Sequence, residues 1–302
     1  MRWHKLGRIF DPAGRAPWMV THAANPVAKY LGDDRFRVYC SARDAAGRSQ
    51  VGFFEFDIRE PATVLGISDG PVIGLGPLGA FDDCGVLNAC FVEHDGRELH
   101  YYSGLTLCKT VPFQFFAAVG ESFDAGKTIV KLSPSPMLDR DPVDPYLTGS
   151  PCVLYDDGRW RMWYTSGVKW TIEDGASKHY YHVKYAESDD GLSWRRSGQV
   201  CLDFADTSEY VIARPCVRRD ADRYRMWYSY RGSSYRIGYA ESLDGLSWER
   251  MDDRAGIDVS NEGWDSEMVC YAFVFDHDGE RFMLYNGNEY GGSGIGLAKL
   301  ET

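Results

Sequence analysis

The sequence lacks long hydrophobic runs and an excess of positive charge. No stretch approaches the 18 apolar residues that a membrane-spanning helix requires, and no apolar run follows the charged residues at positions 1–5. The 33 Lys and Arg residues are outnumbered by 44 Asp and Glu residues, which gives a net charge of −11. Because no positive field is available to collect polyanions, we expect neither nucleic acid nor a membrane as a partner. The default expectation is a cytoplasmic protein.

Paired-cysteine motifs are also missing. None of the eight cysteines forms a Cys-x-x-Cys pair, and most lie in apolar, strand-like segments such as residues 151–154. Such thiols are typical of a protein core, so we expect free cysteines rather than disulfides or a metal site. No His/Cys/Asp cluster has transition-metal spacing, and no Gly-x-Ser-x-Gly motif is present. The sequence predicts neither a metal ion nor another cofactor.

Aromatic residues and glycine, by contrast, are abundant. The chain of 302 residues contains 19 Tyr, 15 Phe, 9 Trp and 32 Gly. Strands accommodate aromatic side chains, and tight turns accommodate glycine, better than helices do. No segment shows a sustained period of 3.6 residues, whereas residues 159–164 alternate between two strand faces. Composition and periodicity together predict an all-β protein.

Two long segments of the sequence repeat each other. Residues 150–164 are SPCVLYDDGRWRMWY and residues 214–228 are RPCVRRDADRYRMWY. Each is followed by a second shared segment, YAESDDGLSW at 185–194 and YAESLDGLSW at 239–248. The unit has the pattern of four strands joined by Asp/Gly turns, which is typical of one β-propeller blade.

Three weaker copies, at residues 33–40, 95–102 and 278–285, extend the repeat over the chain. The last residues of the five second strands lie 62, 62, 64 and 57 positions apart, so repeats of about 60 residues account for all 302. We predict a single domain, residues 1–302, that is a five-bladed β-propeller with four antiparallel strands per blade.

The fifth repeat ends after its third strand. Residues 3–11 resemble residues 194–203, which form the fourth strand of the third repeat. An unpaired third strand would leave an exposed sheet edge. We therefore expect residues 2–10 to pair with residues 293–300 as the outer strand of the last blade.

Propellers usually bind ligands at one mouth of the central channel, which the innermost strand of each blade lines. The repeat register places the starts of the five inner strands at Asn25, Asn88, Ser150, Arg214 and Tyr271. The loops before these strands contribute other polar side chains, namely His22, Asp83, Glu209, Asp265 and Glu267. We predict that His22, Asp83, Arg214 and Glu267 surround one cavity.

With this register, the chain resembles the five-bladed propeller glycosidase-like proteins, the superfamily of glycoside hydrolase families 32, 43, 68 and 130. Residues 25–30, 39–43 and 48–52 are similar to the opening of family 130 phosphorylases, and Ser-x-Asp-Gly-x-x-Trp turns like those at 188–194 and 242–248 recur across the superfamily. The resemblance implies a carbohydrate-active enzyme that makes or breaks a glycosidic bond, using an acid and an opposing carboxylate or phosphate.

The resemblance also implies roles for individual residues. Families 32 and 43 carry an acidic residue at the start of the first inner strand, where this sequence has Asn25. A phosphorylase-like or transferase-like site would use Asp83 as the general acid, with a raised pKa, and Glu209 or Glu267 as the opposing carboxylate. The predicted ligands of an anionic phosphate or nucleotide-sugar group are His22, Arg43 and Arg214. The other predicted substrate-binding residues are Asn25, Asn88, Ser150, Asp265 and Tyr271.

Each candidate also has a purely structural interpretation. Asp83 and Asp265 belong to residue types that are common in turns, and Glu209 has a possible ion-pair partner in Arg214. His22 is an isolated histidine that burial alone would explain, and Tyr271 is an aromatic residue of the kind that packs between blades. The alternative function is therefore a catalytically silent propeller that binds a glycan or a protein. The sequence leaves the sugar, the acceptor and the oligomeric state open.

Overall fold

The computed structural model describes residues 1–301 and is almost entirely β-structure, with 57% of residues in strands. The prediction of an all-β protein is confirmed. Thr302, the last residue of the predicted domain, lies outside the described residues. Helical structure within 1–301 is limited to a 3₁₀ turn at Asp252–Arg254 and a short kinked helix, α1 (Asn288–Gly291). Neither has the length and apolar content needed to cross a lipid bilayer.

The strands are β1 (Trp3–Phe10), β2 (Thr21–Gly32), β3 (Arg35–Arg43), β4 (Ser49–Asp57), β5 (Val64–Ile67), β6 (Gly85–His94), β7 (Arg97–Leu107), β8 (Phe113–Ser122), β9 (Val130–Lys131), β10 (Thr148–Asp156), β11 (Arg159–Glu173), β12 (Ala176–Ser188), β13 (Trp194–Leu202), β14 (Val211–Arg219), β15 (Tyr224–Arg231), β16 (Tyr235–Ser242), β17 (Glu249–Arg250), β18 (Cys270–His277), β19 (Glu280–Asn286) and β20 (Ile295–Leu300). Antiparallel pairing follows chain order within β2–β5, β6–β9, β10–β13 and β14–β17, named units 1 to 4 here. Unit 5 consists of β18, β19, β20 and β1.

The pairing of β1 with β20 joins the two ends of the chain. Its register runs from Trp3 opposite Leu300 to Phe10 opposite Ile295. The predicted pairing of residues 2–10 with 293–300 is confirmed. Trp3, Ile9 and Phe10 are buried, so this strand contributes to the core as well as covering a sheet edge.

Asp-Gly turns explain why the first two strands of a unit form a tight hairpin. In units 2, 3 and 5 the turn residues are Asp95–Gly96, Asp157–Gly158 and Asp278–Gly279, and all six have φ between 48° and 75°. A two-residue type I′ turn requires positive φ at both central positions, which Asp tolerates and Gly prefers. The repeated Asp-Gly pair therefore specifies the same hairpin in three units.

A repeated hydrogen bond connects neighbouring units. Each inner strand starts with a β-bulge. In four units a backbone N–H at the bulge donates to a side chain on the second strand of the preceding unit. These bonds are Asn25 N to Asn286 Oδ1 (2.9 Å), Asn88 N to Ser41 Oγ (2.8 Å), Ser150 N to Ser103 Oγ (2.8 Å) and Tyr271 N to Ser229 Oγ (2.8 Å). The first of them joins unit 1 to unit 5.

The core lies between the sheets and is dominated by aromatic side chains. Tyr39, Tyr101 and Trp163, at equivalent positions of three units, are buried and donate to carbonyls in the next unit. The acceptors are the turn glycines Gly126 (2.8 Å), Gly191 (2.9 Å) and Gly245 (2.8 Å). The Ser-x-Asp-Gly turns at 188–191 and 242–245, and the longer SFDAG turn at 122–126, thus connect the units of the repeat.

The cysteines are free thiols, as predicted, and six of the eight are buried. Cys90, Cys152 and Cys216 occupy equivalent inner-strand positions. Their sulfur atoms accept hydrogen bonds from the backbone of the following unit at 3.2–3.3 Å. These thiols act as small core residues that also help to connect the units.

Candidate functional site

The inner strands surround a cavity of about 380 Å³, named the central cavity here. Four of the five predicted inner-strand starts line it, namely Asn25, Ser150, Arg214 and Tyr271. All four have left-handed backbones, with φ between 45° and 57°. A non-glycine residue in this region costs about 1–2 kcal/mol, and bulges commonly redirect a side chain next to a binding site. The repeated bulge thus places side chains of four units on one cavity.

The charged groups that line the central cavity are all basic. They are Arg43, Arg214 and Arg231, and no Asp or Glu of residues 1–301 is part of the lining. Arg43, Arg214 and Arg231, named the cavity arginines here, form no ion pair with any residue that the structure describes. A chain with a net charge of −11 therefore encloses a positively charged cavity.

Arg214 is the most deeply buried of these groups, with 3% of its surface exposed. Its guanidinium donates to the carbonyl oxygens of Ala89 (2.5 Å) and Pro26 (3.5 Å), while Nε has no partner within residues 1–301. Arg214 also lines a second cavity, of about 290 Å³. Burial lowers its pKa, because desolvation disfavours the charged form. Carbonyl groups carry only partial charges, so this cation lacks a full counter-charge.

Arg231 lies among tyrosine rings rather than carboxylates. Its guanidinium carbon is 5.4 Å from the ring centre of Tyr210, 5.5 Å from that of Tyr235 and 5.8 Å from that of Tyr290. Cation–π contacts stabilise a guanidinium without neutralising it. Arg231 therefore remains available to pair with an anion in the cavity.

His179 is neutral at physiological pH. Burial, together with the positive charge of Arg231, lowers the pKa of His179 to about 4. Its ring stacks on Tyr181, with 4.9 Å between centres and 8° between planes. The histidine thus belongs to the aromatic wall of the cavity rather than to its charge.

The residue predicted to be the general acid, Asp83, lies outside the cavity lining, although Cys84 and Gly85 belong to it. Asp83 accepts hydrogen bonds from the backbone of Gly79 (2.9 Å) and from Thr106 Oγ1 (3.4 Å). These bonds, that from Gly79 most of all, lower the pKa of Asp83. The prediction of a raised pKa is wrong, because the carboxylate is held in a turn by donors that favour its charged form.

The two predicted opposing carboxylates also lie outside the central cavity. Glu209 forms a two-pronged ion pair with Arg250, at 2.8 and 2.9 Å, and Arg250 in turn contacts Asp252 at 2.6 Å. The expected alternative partner, Arg214, is not involved. Glu267 is exposed, and its backbone N–H donates to Asn288 Oδ1. The structure does not bring Glu209 or Glu267 opposite Asp83 across the cavity.

Three further predicted residues have structural contacts outside the cavity lining. Asp265 is buried in an ion pair with Lys5 (2.7 Å) and accepts a hydrogen bond from Tyr285 (3.1 Å). Asn88 donates to the backbone carbonyls of Asn25 (3.1 Å) and Tyr39 (3.3 Å).

His22 is half-buried, and its Nδ1 lies 2.9 Å from Thr21 Oγ1. Burial and the nearby charge of Arg43 lower the pKa of His22, while the charge of Glu289 opposes them. Of the four residues expected to surround one cavity, only Arg214 lines it.

Comparisons with known proteins place the chain in a family. The chain is 42% identical over 302 residues, the full length of both proteins, to "Uncharacterized protein MT1551" of Mycobacterium tuberculosis (strain CDC 1551 / Oshkosh). It is equally identical, again over both full lengths, to "Uncharacterized protein Rv1502" of strain ATCC 25618 / H37Rv. The chain belongs to this family. No protein-family model matches the chain.

Solved structures with the same fold are glycoside hydrolases. One named "Glycoside hydrolase" has a TM-score of 0.79 and 17% identity, with coverage of 99% of this chain and 92% of that one. The catalytic domain of Coprinopsis cinerea GH62 alpha-L-arabinofuranosidase has a TM-score of 0.70 and 12% identity, over 99% and 96% of the two chains. A thermostable family-43 glycoside hydrolase has a TM-score of 0.66 and 16% identity, over 97% and 93%. This family therefore has the β-propeller fold of glycoside hydrolases, and the predicted resemblance is confirmed for the fold.

The cavity of this family member contains residues that the sequence analysis did not single out. These are Arg231, His179, Tyr181 and Tyr235. A signal for Arg231 was present, since it stands three positions after Tyr228, as Arg43 stands three after Cys40 in the first repeat. Tyr181 and Tyr235 also had a signal, since each stands four positions before the shared YAES segment of its repeat. His179 lies on a strand extension that the fourth repeat lacks, so the match between these two repeats could not have found it.

Proposed function

We propose that units 1 to 5 are the five blades of one closed propeller domain, and that its central cavity binds a sugar phosphate. The observation that carries this proposal is the lining of the central cavity, where three arginines face no Asp or Glu of the described chain. A buried cation without a counter-charge is costly, and a bound anion would supply that charge. Arg is well suited to a phosphate, because its planar guanidinium donates two parallel hydrogen bonds.

The rest of the lining fits a sugar ring. Tyr235 lies 5.8 Å from both Tyr271 and Tyr290, measured between ring centres, and all three line the cavity. Aromatic faces pack against apolar faces of ligands, and hydroxyl groups at their edges can hydrogen-bond. Asn25 and Ser150 add an amide and a hydroxyl group to the same wall. A cavity with an aromatic wall and a few polar groups has the usual make-up of a small-molecule site.

Hydrolysis by two opposed carboxylates is not the chemistry that this arrangement favours. That mechanism places two carboxyl groups about 5–10 Å apart across the scissile bond. Asp83, Glu209 and Glu267 lie outside the lining and are held by other partners or exposed. The cationic lining favours recognition of an anionic sugar over glycoside hydrolysis.

Phosphorolysis is the second candidate function, and the rim of the cavity favours it. Glu289 and Tyr290 both have a strained, left-handed backbone, with φ near +57°. Tyr290 lines the cavity. The charge of Glu289 acts on the nearby His22, which also experiences the charge of Arg43. Backbone strain of this kind concentrates at functional sites. An oxygen of the phosphate held by the arginines would form a bond to the anomeric carbon of the sugar while the glycosidic C–O bond breaks, and the leaving oxygen would take a proton from an acid at the rim, for which Glu289 is the candidate.

Thermal unfolding tests the proposed function. The purified protein is heated with glucose 1-phosphate, glucose 6-phosphate, mannose 1-phosphate or mannose 6-phosphate, and with glucose and mannose as uncharged controls. A ligand at one hundred times its Kd raises the melting temperature of a chain this long by roughly 5 °C. We expect this shift with a sugar phosphate and none with the neutral sugar. Equal shifts with both, or no shift with any of the four phosphates, would overturn the proposal.

A further inference from the structure

One hairpin of the propeller extends well beyond the others. β11 has 15 residues and β12 has 13, whereas the equivalent β15 and β16 have 8 each. The additional residues, 168–180, are named the arm here. Their pairing continues from Lys169 opposite Tyr180 to Glu173 opposite Ala176. The arm begins after Gly167, where a Cβ atom would lie 2.9 Å from Leu147 Cγ, so a larger residue would disturb its base.

The two faces of the arm differ in chemistry. Side chains alternate along each strand, so Trp170 shares a face with its cross-strand partner His179, and Lys169 shares the opposite face with Tyr180. Charge is confined to the second face, where Glu173 pairs with Lys178 at 2.8 Å and accepts a hydrogen bond from Tyr180. The first face carries aromatic rings without charge.

That aromatic face is continuous with the wall of the central cavity. Phe113 lies 5.4 Å from both Trp170 and His179, measured between ring centres, and His179 stacks on Tyr181. Phe113, His179 and Tyr181 line the cavity, and Trp170 lies beyond them, half-buried. A ligand that filled the cavity and extended past its rim along this wall would therefore meet Trp170 next.

We infer that Phe113, His179 and Trp170 form a second sugar-binding subsite, so that the ligand of this protein is a disaccharide phosphate or a longer phosphorylated glycan. This inference rests on the proposed binding of a sugar phosphate in the central cavity. The phosphorylated sugar occupies the cavity, and the next ring packs on the aromatic face of the arm. Aromatic packing of this kind contributes roughly 0.5–1.5 kcal/mol, or about two- to tenfold in affinity.

Ligand length provides the test. Binding of glucose 6-phosphate is compared by calorimetry with binding of trehalose 6-phosphate, sucrose 6-phosphate and cellobiose 6-phosphate, which all extend the same sugar phosphate by one ring. We expect at least one disaccharide phosphate to bind about five- to tenfold more tightly than glucose 6-phosphate. Trp170→Leu should remove this gain and leave the affinity for glucose 6-phosphate unchanged within twofold. Tyr180→Leu is the matched control, because Tyr180 is an aromatic residue on the opposite face of the same arm.

The outcomes separate the two levels of the proposal. If glucose 6-phosphate binds but no disaccharide phosphate binds more tightly, the second subsite is wrong and the proposed function stands. If Trp170→Leu weakens both ligands equally, Trp170 only supports the arm, and the subsite is again wrong. UDP-glucose is titrated in parallel, and if it alone binds more tightly than glucose 6-phosphate, the aromatic face binds a nucleobase and the sugar assignment is overturned. Absence of binding by all the sugar phosphates overturns the proposed function and this inference with it.

Discussion

Arginines in two regions of the propeller have opposite surroundings. Outside the central cavity, each of three arginines contacts two carboxylates. These are Arg196 with Asp141 and Asp144, Arg250 with Glu209 and Asp252, and Arg281 with Asp220 and Asp276. The three cavity arginines contact no carboxylate of the described chain. The chain has more acidic than basic residues, so the cavity arginines lack carboxylate partners because of where the acidic residues lie and not because these are too few.

The contrast distinguishes arginines whose charge the folded chain neutralises with its own carboxylates from arginines whose charge it does not neutralise. A paired arginine contributes to the structure, and removing its partner leaves a charge that the protein must solvate. An unpaired cationic site in a cleft is instead a candidate for ligand binding. The two regions should therefore respond in opposite ways when a charge is removed.

The largest effect is expected from the strand that joins the chain ends. Deleting residues 1–10 removes the buried side chains of Trp3, Ile9 and Phe10 and exposes the edge of β20. Burying each such side chain contributes about 1.5–3 kcal/mol, so we expect a loss of more than 4 kcal/mol or failure to fold. Urea unfolding of the truncated chain measures this loss. A truncated chain as stable as the full chain would show that β1 does not close the propeller.

Removing a buried carboxylate from the region of paired arginines should destabilise the protein. Asp144 is fully buried, contacts Lys184 and Arg196, and accepts hydrogen bonds from Tyr164 and Ser166. Asp144→Ala leaves Lys184 without a carboxylate and Arg196 with Asp141 alone, so we expect a loss of about 3–5 kcal/mol in the free energy of unfolding. Asp189→Ala breaks an exposed ion pair with Arg195, where water screens both charges, and should leave the free energy of unfolding almost unchanged. Similar losses in the two variants would contradict the contrast between buried and exposed pairs.

The cavity should respond in the opposite direction. Arg214→Met replaces an uncompensated buried cation with an apolar side chain of similar length. Relief from the desolvation cost offsets the loss of the bonds to Ala89 and Pro26, so we expect stability to be unchanged or to rise by about 1–2 kcal/mol. Binding of sugar phosphate should weaken at the same time. Destabilisation as large as that of Asp144→Ala would show that Arg214 is a structural residue.

The smallest expected effect is a dependence of stability on pH. The pKa of His179 is about 4 in the folded chain and about 6.5 when the chain is unfolded, so unfolding takes up a proton below pH 6.5. The contribution of neutral His179 to the free energy of unfolding is therefore fully present above pH 6.5. It is lost as the pH falls from 6.5 towards 4. The free energy of unfolding of the unmodified chain should therefore fall further between pH 7 and pH 4 than that of the His179→Gln variant. Because His179 is partly exposed, we expect a difference of about 1–2 kcal/mol between the two decreases. Parallel pH profiles would show that His179 is more solvated than its packing indicates.

The fold could be predicted from the sequence because its determinants recur. Asp-Gly hairpins and Ser-x-Asp-Gly turns repeat at intervals of about 60 residues, and each depends only on nearby residues. The chain-end pairing was also predictable, since residues 3–11 resemble a strand already present in the third repeat. Local chemistry and periodicity were sufficient for both.

The site could be predicted only in part, because a side chain's partner is a long-range property. Glu209 and Asp265 lie in the loops that precede inner strands, as expected, but are held by Arg250, 41 positions away, and Lys5, 260 positions away. The expectation of a raised pKa for Asp83 failed for the opposite reason, because the N–H of Gly79, only four positions away, donates to this carboxylate and favours its charged form. The repeat register identified the inner-strand residues that line the cavity, but it could not identify which charged side chains have no partner there.

The central claim is that the cavity arginines bind the phosphate group of an anionic sugar. A calorimetric titration tests this claim most directly. The sugar phosphate that gives the largest thermal shift is titrated into the unmodified protein, Arg43→Gln, Arg231→Gln and the control Arg159→Gln, which alters an exposed arginine paired with Glu187. Loss of one charge-assisted contact of about 1.5–3 kcal/mol corresponds to a ten- to hundredfold weaker affinity. The account predicts this loss in both cavity variants and unchanged affinity in the control. Affinities that stay within twofold in all four proteins would contradict it.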